Sequence, residues 1–266
     1  MSVSYQVDGQ VVTVTIDRPN VRNAVDAETA VALAGAFYRF DSDDKLSVAV
    51  LTGAGGNFCA GFDLKALARG SGNQADPAGD GPMGPTRMNL DKPVIAAIEG
   101  YAVAGGLELA LWCDLRVAAR DATLGVFNRR FGVPLVDLGT VRLPRLIGQG
   151  RALDLILTGR PVEAEEALRI GLIERLVEPG GALAAAVNLA HEIARFPQGS
   201  LRVDRRSVLN QWGLNLDEAT REEYGGAAVV LSSGESKAGA RRFVEGAGRH
   251  GDGTLKEDKP GPGKGG

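Results

Sequence analysis

The sequence predicts an α/β fold whose strands give way, towards the C-terminus, to helices alone. Three features point there. Short apolar runs such as Val48 to Leu51 and Val94 to Ile98 have the length and β-branched content of strands buried on both faces. A strand, a helix and a second strand follow one another between Val11 and Leu51, the order of a parallel crossover unit. From Ala182 onward apolar positions recur at helical spacing, with no further strand signal.

Taken in order, Val3 to Val7 and Val11 to Ile16 alternate apolar and polar residues on either side of Asp8-Gly9, a strong hairpin signal. Arg18-Pro19-Asn20 breaks the second strand. A helix then starts near Asp26 and carries Val31, Leu33, Ala34 and Phe37 inward before a turn at Asp41 to Asp44. After the strand at Val48, Thr52 to Leu64 (TGAGGNFCAGFDL) is a glycine-rich loop ahead of a short helix. Gly70 to Pro85, poor in apolar residues and rich in glycine and proline, reads as a mobile loop or lid, or as a linker without function.

Pro93 to Ala118 (PVIAAIEGYAVAGGLELALWCDLRVA) is the stretch around which the rest is organised. It holds a strand to Ile98, a turn at Gly100, paired Gly105 and Gly106, a helix of strong helix formers to Trp112, and a strand from Leu115 to Ala118. Asp121 to Val141 is expected to give a short strand and loops before an amphipathic segment from Gly139 to Ile147. Arg151 to Gly171 should supply two helices, with Pro161 near the start of the second and Gly171 as its stop. Leu176 to Glu178 is a brief strand. Helices are expected over Ala182 to Phe196, Leu201 to Trp212, Leu216 to Leu231 and Ser236 to Phe243. The chain thus divides into a mixed core (1–195), a helical region (196–248) and a tail (249–266).

With 266 residues, 44% of them hydrophobic, the chain is long enough for a large core. A net charge of -3 and a pI near 5.6 argue against a general nucleic-acid surface while leaving room for a local basic pocket. No apolar run approaches the ~20 residues that span a bilayer. The start, MSVSYQVDGQ, has neither a basic nor a hydrophobic segment, so no membrane association and a cytoplasmic location are expected. Cys59 and Cys113 lie in apolar surroundings and read as reduced core thiols. His191 and His250 have no partner at metal or triad spacing, so no metal site is expected. Nucleophile-elbow, dinucleotide and phosphate-loop motifs are absent.

Two glycine-rich turns remain. Glycines at a helix start let a substrate approach the backbone, and the first helical N–H groups have no internal partner and carry partial positive charge. Such groups can hold an oxyanion. Glu108, three residues after Gly105, puts a carboxylate beside that position. From spacing alone, two readings stand equally: this anion site, or tight helix packing with Glu108 reaching solvent or an internal arginine.

The strand, Gly-Tyr-Ala, paired glycines, Glu108 and Cys113-Asp114 resemble the central signature of the crotonase (enoyl-CoA hydratase/isomerase) superfamily. The Ala60-Gly61-Phe62 turn resembles that family's first oxyanion segment. The late Ser-Gly-Glu-Ser and Arg-Arg-Phe-Val-Glu-Gly segments resemble its C-terminal helices. The resemblance covers about Val3 to Arg249. It implies a crotonase-like spiral core of ββα turns, a helical C-terminal region used for oligomerisation, and a homotrimer or dimer of trimers. It also implies an acyl-CoA substrate, with no cofactor beyond the coenzyme A that the substrate carries.

On the same resemblance, the N–H groups of Phe62 and Gly105 are the oxyanion donors and Glu108 is the general acid and base. Phe62 is bulkier than the alanine common there and should narrow the acyl pocket. Asn128 falls where hydratases carry a second carboxylate. It can orient a water but cannot exchange a proton. Asp137 falls where some isomerases carry a catalytic aspartate, and by its residue type alone reads equally as a solvated loop or helix-capping residue. Arg22, Ala24, Ala60, Asp63 and Lys65 match positions that bind coenzyme A in relatives, with Arg249 as a looser match. The implied reaction is hydration of a 2-enoyl-CoA to a 3-hydroxyacyl-CoA. Double-bond isomerisation or other enolate chemistry, and a non-catalytic acyl-CoA-binding scaffold, are the alternatives.

Overall fold

The computed structural model of the chain describes residues 2–73 and 76–246. The tail 249–266 and Arg249 lie outside the described residues. Strands β1 (Val3–Asp8) and β2 (Val11–Ile16) form an antiparallel hairpin in which Asp8 pairs with Val11 and Gly9 turns the chain at φ 58°. Helix α1 (Ala27–Ser42) starts at Asp26, whose side chain accepts from the Thr29 N–H at 2.9 Å. Leu33, Ala34 and Phe37 point inward. Val31, expected beside them, is exposed, because it falls off the stripe that Leu33 and Phe37 define.

Strand β3 (Val48–Gly53) pairs parallel with β2, and β4 (Val94–Ile98) parallel with β3; the short helix α2 (Leu64–Ala68) lies between them in sequence. There follow β5 (Tyr101–Val103), α3 (Gly105–Trp112), β6 (Leu115–Ala119), β7 (Thr123–Gly125), α4 (Gly139–Ile147), α5 (Gln149–Thr158), β8 (Val162–Glu163), α6 (Ala164–Ile170) and β9 (Arg175–Val177). The larger sheet runs β1-β2-β3-β4-β6-β9, parallel throughout except at the hairpin, and a smaller one runs β5-β7-β8.

The period of two along each strand explains why these apolar runs are unbroken. Val48 and Val50 of β3, with Ile95 and Ala97 of β4, pack beneath Ala186, Leu189 and Ala190 of α7 (Ala182–Ala194). The alternate residues Ala49, Leu51, Ala96 and Ile98 join the main core with Leu33 and Phe37 of α1 and Leu107 and Leu109 of α3. Both faces of the sheet are covered, so both sets of positions are apolar.

Residues to Ala194 form one compact unit and those from Arg195 a second. The second contains α8 (Gln198–Asn210), α9 (Leu216–Ser233) and α10 (Glu235–Val244). A capping box of Asn215 and Glu218 starts α9, and Glu235 accepts from the N–H groups of Gly199 and Ser200 at 2.9 and 2.8 Å. Leu209, Trp212, Tyr224, Leu231 and Phe243 of this unit are exposed on the single chain. Among the described residues, no helix is long and apolar enough to cross a membrane.

Two expectations need correction, and one strand had no sequence signal. Gly70 to Pro85 is not wholly a mobile loop or a functionless linker: Met83 is fully buried in the core, and Asn73 Nδ2 donates to the Pro82 carbonyl at 2.6 Å. Composition hid this because a single buried methionine anchors a polar stretch. Pro161 opens no helix; it precedes β8, and α6 begins at Ala164. Tyr101 to Val103, between the turn at Gly100 and the paired glycines, is a strand because β7 pairs with it, Tyr101 opposite Thr123, a distant partner that no local pattern reveals.

Candidate active site

The two glycine-rich turns meet. Cys59 bridges to β5, its N–H donating to the Tyr101 carbonyl at 2.8 Å and its carbonyl accepting from the Val103 N–H at 3.1 Å. Three residues on, Phe62 forms a parallel bridge with Val25: the Gly61 carbonyl and the Asp63 N–H bond to Val25 at 2.8 and 3.0 Å. In a parallel ladder the residue between two such partners turns its own N–H to the opposite side. The Phe62 N–H therefore faces away from Val25. The Gly105 N–H is the first of α3 and has no intrahelical acceptor. Neither N–H has a protein acceptor among the described residues.

The closeness of the turns depends on two glycines. A Cβ on Gly61 would stand 2.9 Å from the Gly105 nitrogen, and one on Gly106 would stand 2.0 Å from the Cys59 carbonyl oxygen. Ala104, between β5 and α3, takes φ 53° and ψ −125°, a conformation that costs an L-residue on the order of 1–3 kcal/mol and that collects at functional sites.

Helix α3 is buried almost all round, and Glu108 is only 1% exposed among Leu107, Leu109 and Leu111. Its Oε1 accepts from the N–H groups of Asp137 and Gly139 at 2.9 and 2.8 Å. Among the described residues no protein donor reaches Oε2, and Glu108 lines a pocket together with Phe62, Gly105 and Asn128. Burial pushes the Glu108 carboxyl up to about 7 and the nearby Asp137 carboxylate adds to this, against the two backbone N–H bonds and Arg142. Glu108 is buried rather than turned out to bulk solvent, and among the described residues no arginine hydrogen-bonds its carboxylate.

Asn128 sits in a short 3₁₀ turn, Phe127–Phe131, and is 7% exposed. Its Nδ2 donates to the Val133 carbonyl at 2.7 Å, which fixes the amide and leaves Oδ1 buried without a protein partner. Asn128 lines the same pocket as Glu108. Asp137 is neither solvated nor a cap. It is fully buried behind Glu108, and Leu138 holds the N-cap position of α4. Its Oδ1 accepts from the Met83 N–H at 2.9 Å and from the Thr86 hydroxyl, while Oδ2 is buried without a partner. Burial raises its carboxyl as well. Arg142 ties this layer together, donating to the Asp137 carbonyl at 3.1 Å and the Thr86 carbonyl at 2.7 Å. Met83 and Thr86 had no sequence signal, since each reaches Asp137 only through the fold.

The positions matched to coenzyme A are less uniform. Ala60 lines the pocket. Arg22 is exposed, with its guanidinium 5.0 Å from the centre of the Tyr101 ring, and Lys65 is exposed on α2. Ala24 is buried and its carbonyl accepts from Arg18. Asp63 caps α2, its Oδ1 accepting from the Lys65 and Ala66 N–H groups at 3.0 and 3.1 Å and its Oδ2 from Arg18 at 3.1 Å, so its oxygens are engaged within the protein. Cys59 and Cys113 are buried free thiols, and burial pushes Cys59 up to about 12. No metal-binding cluster of His, Cys, Asp or Glu occurs among the described residues.

The sequence profile of the enoyl-CoA hydratase/isomerase family matches residues 6–250. A carnitinyl-CoA dehydratase from Salmonella arizonae is 36% identical over 244 residues, 90% of this chain and 93% of that protein. An enoyl-CoA hydratase from Mycobacterium tuberculosis is 36% identical over 244 residues, 89% of this chain and 91% of that one. Among solved structures, an enoyl-CoA hydratase from Mycobacterium marinum has a TM-score of 0.87 at 40% identity, covering 92% of this chain and 96% of its own. With the full-length match, the shared fold and the paired glycine turns together, this chain belongs to the enoyl-CoA hydratase/isomerase family, within the crotonase superfamily.

Proposed function

We propose that this protein hydrates a 2-enoyl-CoA to the 3-hydroxyacyl-CoA. The observation that carries the reading is the pocket shared by two unpaired backbone N–H groups, Phe62 and Gly105, and one carboxylate with a free oxygen, Glu108. The thioester oxygen lies against the two N–H groups. Glu108 Oε2 takes a proton from water while Asn128 Oδ1 accepts the other hydrogen and orients the molecule. The water oxygen bonds to C3, and the π electrons move onto the thioester oxygen as an enolate, which the two donors stabilise. Protonated Glu108 then returns its proton to C2 as the enolate collapses. Atoms balance with one carboxylate serving as base and then as acid, and its proton affinity near neutrality suits both halves. Run backward, the same steps dehydrate a 3-hydroxyacyl-CoA.

Glu108 is the only titratable side chain among those lining the pocket, and this favours a second reading. A single base that removes a proton from one carbon and returns it two carbons away is an isomerase. Comparing crotonyl-CoA hydration with 3-enoyl-CoA isomerisation separates the two. Glu108→Gln should lower crotonyl-CoA hydration by about 100-fold or more, since positioned acid–base groups contribute ~10²–10⁴. Wild-type rates in that variant would sink the assignment.

Coenzyme A is proposed to lie along Ala60 and the backbone near Ala24 and Asp63, with the exposed Arg22 and Lys65 beside its phosphates. The reaction draws on no other cofactor. The exposed apolar side chains of α8 to α10 support assembly as a homotrimer or dimer of trimers, which sedimentation velocity tests. A cytoplasmic location is part of the same proposal, and fractionation of source cells tests it.

A further inference from the structure

A second chamber adjoins the active pocket, and the two share three wall residues, Phe62, Val133 and Pro134. Phe62, half-buried, lines both the space that holds Glu108 and Gly105 and the space beyond it, and of the three shared residues it carries the largest side chain.

The second chamber suits a hydrocarbon. Leu67, Val133, Pro134 and Val136 give it apolar walls, and no lysine or arginine lines it among the described residues. Its two polar side chains are already engaged. Asn73 Nδ2 donates to the carbonyls of Pro82 and Val25 at 2.6 and 3.3 Å, and both oxygens of Asp63 are held by the α2 N–H groups and Arg18. A phosphate-bearing arm would find no counter-charge there, whereas an alkyl tail would lose only its contact with water.

We propose that the Phe62 side chain is the partition that sets acyl-chain length. As built, the ring ends the active pocket and favours short acyl groups; removing it joins the two chambers and admits a long tail into the second. The proposal rests on the acyl-CoA reading above. It assigns to Phe62 two separable tasks, because the N–H that faces the active pocket belongs to the backbone and survives any substitution except proline.

The test compares crotonyl-CoA with 2-decenoyl-CoA as substrates for purified full-length protein. Phe62→Ala should raise the decenoyl-to-crotonyl ratio of kcat/KM by about tenfold or more, the scale set by burying a few methylenes. Adding Leu67→Trp, which refills the second chamber from the exposed helix α2, should return the ratio towards the wild-type value. If Phe62→Ala folds poorly, Phe62→Leu should move the ratio in the same direction by less. A ratio within about twofold of wild type, in a variant that still turns over crotonyl-CoA, overturns the partition. If the wild-type protein turns over neither ester, the functional reading fails on its own. The two esters are then stable ligands, and their relative affinities for wild type and Phe62→Ala, by calorimetry, decide the partition by the same ratio.

Discussion

Between Cys59 and Leu64 the chain leaves an extended segment for a helix, and between Val103 and Glu108 it does so again, yet the two turns are held in different ways. The first is tied by side chains: Asp63 caps α2 and pairs with Arg18, which also pairs with Asp26 at 2.8 Å. The second has no side-chain cap. Its geometry comes from the conformation of Ala104 and from burial of α3 on nearly every side. The first turn offers the pocket an N–H and an apolar ring; the second offers an N–H and an acid. A turn fixed by polar side chains can vary its apolar one, while a turn fixed by the core must keep its small residues and its single carboxylate. On the proposed reading, acyl selectivity belongs to the first turn and proton transfer to the second.

The loss expected for Glu108→Gln is the largest, and it strikes the second turn alone. Next is Gly106→Ala, which sets a methyl 2.0 Å from the Cys59 carbonyl and so forces the two turns apart. A displacement of about 1 Å at a reacting centre costs on the order of 100-fold. Crotonyl-CoA hydration should fall by about that factor with the acyl-length ratio little changed; an active Gly106→Ala enzyme would mean the turns do not act as a pair.

A subtler change is expected in the pH profile. Glu108 must be ionised to accept a proton from water, and its folded value is raised to about 7 from an ordinary 4.5, so kcat/KM should rise with pH and level off above about 7. Asp137 is part of the reason for that upward shift. Asp137→Asn should therefore move the inflection to lower pH, and an unmoved profile would show that Asp137 is electrostatically silent. The same raised value means that folded protein holds the Glu108 proton more tightly than unfolded chain does. This group's contribution to stability is thus largest below pH 4.5 and is lost as pH rises towards 7.

The smallest effect is expected at the first turn's anchor. Asp63→Ala removes the α2 cap, worth ~1 kcal/mol, and should lower Tm by roughly 2–4 °C while leaving the pH inflection in place. A shift of the inflection in that variant would tie the two turns more closely than their separate supports suggest.

Much of the fold could be read from local pattern. The β1–β2 hairpin, α1 after its aspartate cap, and the doubly buried β3, β4 and β6 follow from alternation, capping and apolar runs, because each of these signals is carried by neighbouring residues. β5 could not be read this way. Three residues are too few for a period, and Tyr101 to Val103 are extended only because Cys59 and β7 lie on either side of them. The site divides along the same line. Phe62, Gly105, Glu108 and Asn128 drew attention through motif and spacing, and they line one pocket. Asp137 read as a solvated or capping residue, because nothing near it in sequence reports that Met83 and Thr86 close over it.

By itself, the sequence determined which strands are buried on both faces, where helices begin, and that two glycine turns precede an acid in an apolar helix. Only the tertiary structure decided that Glu108 spends one oxygen on the backbone of residues 137 and 139 while no protein donor among the described residues reaches the other, and that Phe62 lines two adjoining pockets. The physical reason is range. Propensity, capping and periodicity act over a few residues, whereas burial, proton affinity and the shape of a cavity are set by atoms that the chain brings together from far apart.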